Sequence, residues 1–541
     1  MKRRNILAVT VSLCLAATAP VIGAAPQEVP LNYQPAGMGI GDTWFLQHGD
    51  TTHVFHQQNP RPGTSCPPED NGAVAHAISK DLIHWQELPV AIRGGDPKAR
   101  VPYDRENAIF TGSVVEHEGV IYNFYCANDG GNADNSDRTG KPNWRQSMNL
   151  ATSKDGIHFE KYSEGNPLIE PTPGKYYNWH EKVAPFPHHA RDMVDCRDML
   201  VLKDPNGQGW LGYVVMRRQG QQDAQHSACF VLCRSKDLLK WEVGDPVCTP
   251  DRYNCFEVPD VFCIDGRWFM LALTGEQYGP SKIEWNDPDL HDGTIVFEAD
   301  SPYGPFVEVR DNLLIASKYG RVEGYSARTV ERNGERLMFY THNCYGQEGK
   351  KLSWPVKLVP RKGGGLVPKY WPGCDKIFVG KPVTLERVEL AAADQAARHS
   401  LAKELPSDFN AYMMQADIQA DKPAGFAFGL SSSDAKDGFQ LLIDPAATPQ
   451  TKVAIIRNQD GKLLTDRWCA LAPGKQHHLR LLVNERLVTV YLDDELMINY
   501  YLDGLKPGEF ALTAHGKAVF THVDFRPGAD ESMRRQPPVN K

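Results

Sequence analysis

Residues 196–215, CRDMLVLKDPNGQGWLGYVV, read as two strands joined by a turn. A short apolar run carries Arg197 and Asp198, the turn follows at Asp204-Pro205-Asn206-Gly207, and β-branched and aromatic residues resume after Gly209. The same pattern recurs along the chain. Glycine turns lead into THVFH after Gly49, VIYNFYC after Gly119, RWFMLAL after Gly266 and ERLMFYT after Gly334. Ahead of each turn lies another strand: residues 41–45, 109–113, 196–200, 256–260 and 322–326. Five openings predict five blades of a β-propeller over residues 30–358, because a radial repeat of this kind brings its first strands to one axis.

A second repeat sets the phase of the blades. Ser79-Lys80-Asp81 is followed by Trp85, Ser153-Lys154-Asp155 by Phe159, and Ser235-Lys236-Asp237 by Trp241, always four residues beyond the aspartate. A polar turn entering a strand whose ring packs between blades explains this spacing without any ligand.

Three openings carry acids: Asp42, Asp198 and Glu257. Carboxylates inside apolar strands are costly to bury unless they are paired or functional. Their common phase predicts that they meet in one funnel at the channel mouth. Trp44, Phe110 and Thr111 in the openings, together with Glu323 in the fifth, are expected to contact a ligand there. Trp179, His180, His188 and His189, and Arg105, Glu106 and Asn107, lie in loops expected on the same face, where specificity resides.

Beyond a linker expected at 359–375, alternating runs such as AYMMQADIQA, GFQLLIDP and HHLRLLVNERLVTVYLDDE predict an antiparallel β-sandwich over 376–527. Tyr500 and Tyr501 there read as core or interface residues. Residues 528–541 read as a disordered tail. The whole chain is therefore expected to be all-β.

With 541 residues and 41% hydrophobic content, the chain has ample apolar material for two domains. A net charge of −8 without a basic run argues against nucleic acid. The first 24 residues combine a basic start, an apolar stretch and small residues near Ala24, which predicts a signal peptide and a periplasmic or secreted product. No later segment has the ~18 unbroken apolar residues of a spanning helix. Twelve cysteines form no zinc-binding pattern, and no cofactor or metal is expected. Cys196 and Cys255, each within two residues of an acid, read as packing residues.

The residues THVFHQQNP at 52–60, AHAISKDLIHWQELPVAI at 75–92, CRDMLV at 196–201 and FEVPDVF at 256–262 resemble the family 32 glycoside hydrolases. A looser similarity extends to the propeller glycosidases of families 43 and 68. The resemblance implies that Asp42 is the nucleophile, Asp198 the transition-state stabiliser and Glu257 the general acid/base. It also implies that Gln57, Arg197 and His76 line the sugar site and that the partner is an oligo- or polysaccharide. Protonating a leaving oxygen while a carboxylate acts on the opposite face is the chemistry such a set performs. A raised pKa is then expected for Glu257, and Asp198 is expected to stay ionised beside Arg197.

Around each acid the chain departs from the fructosidase pattern. Gly39-Ile40-Gly41 precedes Asp42, Met199 follows Asp198, Val258 follows Glu257, and Val74-Ala75 precedes His76. A terminal β-fructoside is the first expectation for the substrate. An arabinofuranoside or xyloside, cleaved with inversion as in family 43, is the second, and a propeller that binds glycans without turnover is the third.

Overall fold

The computed structural model describes residues 32–61, 63–95, 108–129, 145–162, 167–177, 195–220, 226–253, 255–275, 292–318, 321–322, 324–342, 350–392, 396–401, 409–432, 435–447, 451–472 and 474–528. The expected signal peptide and almost all of the expected tail lie outside them.

Five antiparallel sheets each start with one of the anticipated openings. Their first strands are Met38–His48, Ala108–His117, Arg197–Lys203, Glu257–Ile264 and Tyr325–Arg332. Each first strand contacts the next, and the fifth contacts the first, so the ring closes. Arg328 strengthens the closure. From blade five its buried guanidinium donates to the Pro259 carbonyl of blade four and, at 3.2 Å, to the Gly112 carbonyl of blade two.

The Ser-Lys-Asp repeat has the structural role expected of it. In all three copies the serine Oγ accepts from the backbone three residues on, at Leu82, Gly156 and Leu238, and the aspartate caps the next two amides. The following rings pack edge-on across blade boundaries: Trp85 on Phe339, Phe159 on Phe55 and Trp241 on Phe124.

The stretch expected as a linker instead belongs to blade five. Val356–Pro360 and Leu366–Tyr370 form a hairpin that continues the fifth sheet. Gly363, Gly364 and Gly365, all at positive φ, make the turn that the glycine run had suggested was a flexible connection. Lys369 then pairs with Glu495, joining this sheet to the second domain.

That domain packs two sheets face to face. One contains Ala411–Ala420, Gln476–Asn484 and Lys517–Pro527, the other Ala424–Leu430, Phe439–Asp444 and Glu509–Ala514. Alternate residues such as Met414, Ile418, Phe426, Leu441, Leu481 and Phe520 fill the space between them, with Tyr500 in the same core. Among the described residues no helix is long and apolar enough to cross a membrane.

Candidate active site

All five first strands are interrupted near the same end by a register shift. The unpaired positions are Gly41-Asp42, Thr111, Asp198-Met199, Val258-Pro259 and Ser326-Ala327. A β-bulge bends its strand and re-aims side chains, and such bulges concentrate at barrel rims and active sites. Asp198, Val258 and Ser326 have φ values of 55°, 52° and 52°. That conformation is strained for a β-branched residue such as Val258. The repeated bulge turns five strand ends into one polar cluster.

Asp42 accepts hydrogen bonds on both oxygens, from the Thr111 hydroxyl of blade two and the Ser326 hydroxyl of blade five. Its carboxylate plane is thereby fixed from two sides. Gly41 beside it leaves room for Gln57, whose Oε1 would lie 2.7 Å from a Cβ at that position.

Across the axis, Arg197 organises the other two acids. Its Nη1 donates to Glu257 Oε1 at 2.6 Å and to Asp198 Oδ2 at 3.4 Å, while Nη2 donates to the Phe256 carbonyl at 3.1 Å and Nε to Asp195 at 3.1 Å. Asp198 also accepts from the Val258 amide at 3.0 Å, and the Tyr325 hydroxyl donates to Glu257 Oε2 at 3.4 Å. Asp195 is wholly buried between Arg197 and Arg217. Burial works against its charge, but the Arg217 and Arg197 guanidiniums hold its carboxyl below the usual range.

Asp198 has a raised pKa, contrary to the expectation that it stays ionised beside Arg197. Burial pushes it up to about 7, and the charges of Glu257 and Asp42 add to the effect against the pull of Arg197. Asp198 is 2% exposed, and the shorter Arg197 contact goes to Glu257. Cys255 rests against Arg197, and burial pushes its thiol up to about 12, so it serves as packing and not as a nucleophile.

Asp42, Thr111, Asp198, Glu257 and Arg197 are thus brought together, and Gln57 packs against Gly41, the residue before Asp42. Three other expected residues do not join them. Trp44 is buried in the packing between blades one and two and donates to Asn123 at 3.0 Å. His76 is buried within blade one, stacked on Phe55 and 2.9 Å from His53. Phe110 packs against the apolar cluster between blades two and three. Each of these side chains packs into a blade or between blades, whereas Thr111, next to Phe110 and unpaired at the bulge, reaches Asp42. Glu323 and the loop residues Arg105, Glu106, Asn107, Trp179, His180, His188 and His189 lie outside the described residues.

Sequence reading missed Ser326, Tyr325 and Asp195. Ser326 and Tyr325 stand in the fifth opening, where attention to carboxylates favoured Glu323. Asp195 precedes the Cys196-Arg197 pair and has no periodic signal.

Residues 44–284 match the profile of the glycosyl hydrolases family 32 N-terminal domain, a span that contains Asp198 and Glu257 and begins two residues after Asp42. The chain is 33% identical over 519 residues to a sucrose-6-phosphate hydrolase of Escherichia coli, covering 90% of this chain and 92% of that protein. A sucrose-6-phosphate hydrolase of Zymomonas mobilis is 32% identical over 505 residues, with 86% and 85% covered. Among solved structures, the exo-inulinase of Aspergillus awamori superposes with a TM-score of 0.67 at 16% identity, over 94% of this chain and 99% of that one. This match agrees with the propeller-plus-sandwich architecture. The chain belongs to glycoside hydrolase family 32 and is a glycosidase acting on O-glycosyl compounds.

Proposed function

We propose that the enzyme removes terminal β-fructofuranosyl residues from an oligo- or polysaccharide, with Asp42 as nucleophile, Glu257 as general acid and then base, and Asp198 as stabiliser of the positive charge on the ring. The observation that carries this reading is the shared polar network. Two hydroxyls aim Asp42 from one side of the channel, and one guanidinium joins Asp198 to Glu257 on the other. In the first step Asp42 bonds to the anomeric carbon as the glycosidic C–O bond breaks, and the Glu257 proton passes to the leaving oxygen. In the second, water loses its proton to Glu257 and displaces Asp42.

Asp198 and Glu257 share the Nη1 of Arg197, so one guanidinium ties the proposed stabiliser to the proposed general acid. Export by the N-terminal leader is part of the same proposal. It would place the enzyme among extracellular glycans, and the N-terminus of the mature protein tests it: cleavage near Ala24 is expected, and an intact Met1 would refute export.

The substrate reading is tested by incubating the protein with sucrose, sucrose 6-phosphate, inulin, arabinan and aryl glycosides and identifying the released sugar. Fructose from the fructosides supports it. Release of arabinose or xylose alone would replace it with the arabinofuranoside or xyloside reading.

A further inference from the structure

Lys350 lies at the seam where the propeller closes. Its carbonyl accepts from the Ile40 amide at 3.1 Å, two residues before Asp42, and from Gln34 Nε2 at 3.1 Å. The backbone is therefore tied to the strand that carries Asp42. Its ammonium sits 4.3 Å above the Tyr325 ring. The hydroxyl of that ring donates to Glu257 at 3.4 Å. We propose that Lys350 is a positioning residue for hydrolysis, which holds the Tyr325 ring so that its hydroxyl stays on Glu257 and places a positive charge beside Asp42 and Glu257.

The proposal rests on the roles given above to Asp42 and Glu257. A cation held against an aromatic face restrains both groups, and the contact strengthens as water is removed. Burial draws the Lys350 ammonium below its ordinary pKa, while the charges of Asp42 and Glu257 oppose that change, so lysine and carboxylates sense one another. Among the described residues, Asp198 and Arg197 from blade three and Arg328 from blade five also face these acids. Of the cations, Lys350 alone also contacts Tyr325 among these groups.

The test is the pH profile of kcat/KM on sucrose and on sucrose 6-phosphate for the full chain and for Lys350→Met, Lys350→Arg, Tyr325→Phe and the double variant Lys350→Met/Tyr325→Phe. Loss of the positive charge makes ionisation of the neighbouring carboxyls harder, so Lys350→Met is expected to move the profile to higher pH by about half a unit or more and to lower its maximum about tenfold. Lys350→Arg is expected to keep the wild-type profile. The double variant is expected to lose less than the product of the two single losses. A Lys350→Met profile that superposes on wild type, or an arginine variant as impaired as the methionine one, would overturn the proposal. Asp42→Ala is assayed alongside. If it retains activity, the role assignment itself falls, whereas an inactive Asp42→Ala with an unmoved Lys350→Met profile removes only the part given to Lys350.

Discussion

Arg197 Nη1 donates to Glu257 Oε1 at 2.6 Å, linking the first strand of blade three to that of blade four directly across the bulges that open the site. The same guanidinium is held from behind by Asp195, which also binds Arg217. The catalytic cluster therefore has a buried electrostatic support that makes no contact with the channel acids except through Arg197.

Removing that support should be costly. Asp195→Ala leaves two buried guanidiniums without their shared partner, and breaking a buried pair in this way typically destabilises by about 3–5 kcal/mol. Denaturant unfolding should show a lowered midpoint, and any folded fraction should have lost activity because Arg197 is free to reorient. Wild-type stability in this variant would show that Arg217 and Arg197 find other partners.

Asp198 makes stability depend on pH. Burial raises its folded-state pKa to about 7, above that of an unfolded aspartate. Its carboxyl therefore favours the folded chain fully below about pH 4, and that contribution is lost as pH rises through about 7. The size is on the order of 4 kcal/mol. Asp198→Asn should be inactive, yet unfold at higher denaturant than wild type at pH 8 and show no such advantage at pH 4. Parallel curves at both pH values would contradict the raised pKa.

Thr111 and Ser326 each aim one oxygen of Asp42. Thr111→Val keeps shape and burial but removes the donor, and Ser326→Ala removes the other. Either change should lower kcat by about 10- to 100-fold with KM little altered, since a small loss of alignment at the reacting group weakens the transition state more than binding. Steady-state kinetics on the best fructoside would show this split, and a change confined to KM would place the hydroxyls in substrate binding instead.

Much of this fold was legible because a propeller repeats. Glycine turns, the Ser-Lys-Asp turn and its ring each occur in several copies, and repetition marked the five openings and the phase of Asp42, Asp198 and Glu257. What repetition could not supply was local geometry. The bulges at Gly41-Asp42 and Ser326-Ala327 leave no compositional mark, so Trp44 and Phe110 could not be separated from Thr111, although only Thr111 reaches Asp42. The pairing of Asp195 with two arginines joins residues 22 apart in sequence, and its effect on Arg197 depends on burial. The triple glycine at 363–365 misled for a similar reason, because a hairpin turn and a flexible linker use the same residue.

The account is tested most directly by fructose release from sucrose and sucrose 6-phosphate by the wild type, Asp42→Ala, Asp198→Asn and Glu257→Gln, each verified as folded. A wild type that releases fructose and three variants whose kcat falls by about 10³-fold or more are predicted. Turnover by Asp42→Ala or Glu257→Gln close to wild type would contradict the assignment of catalysis to this cluster.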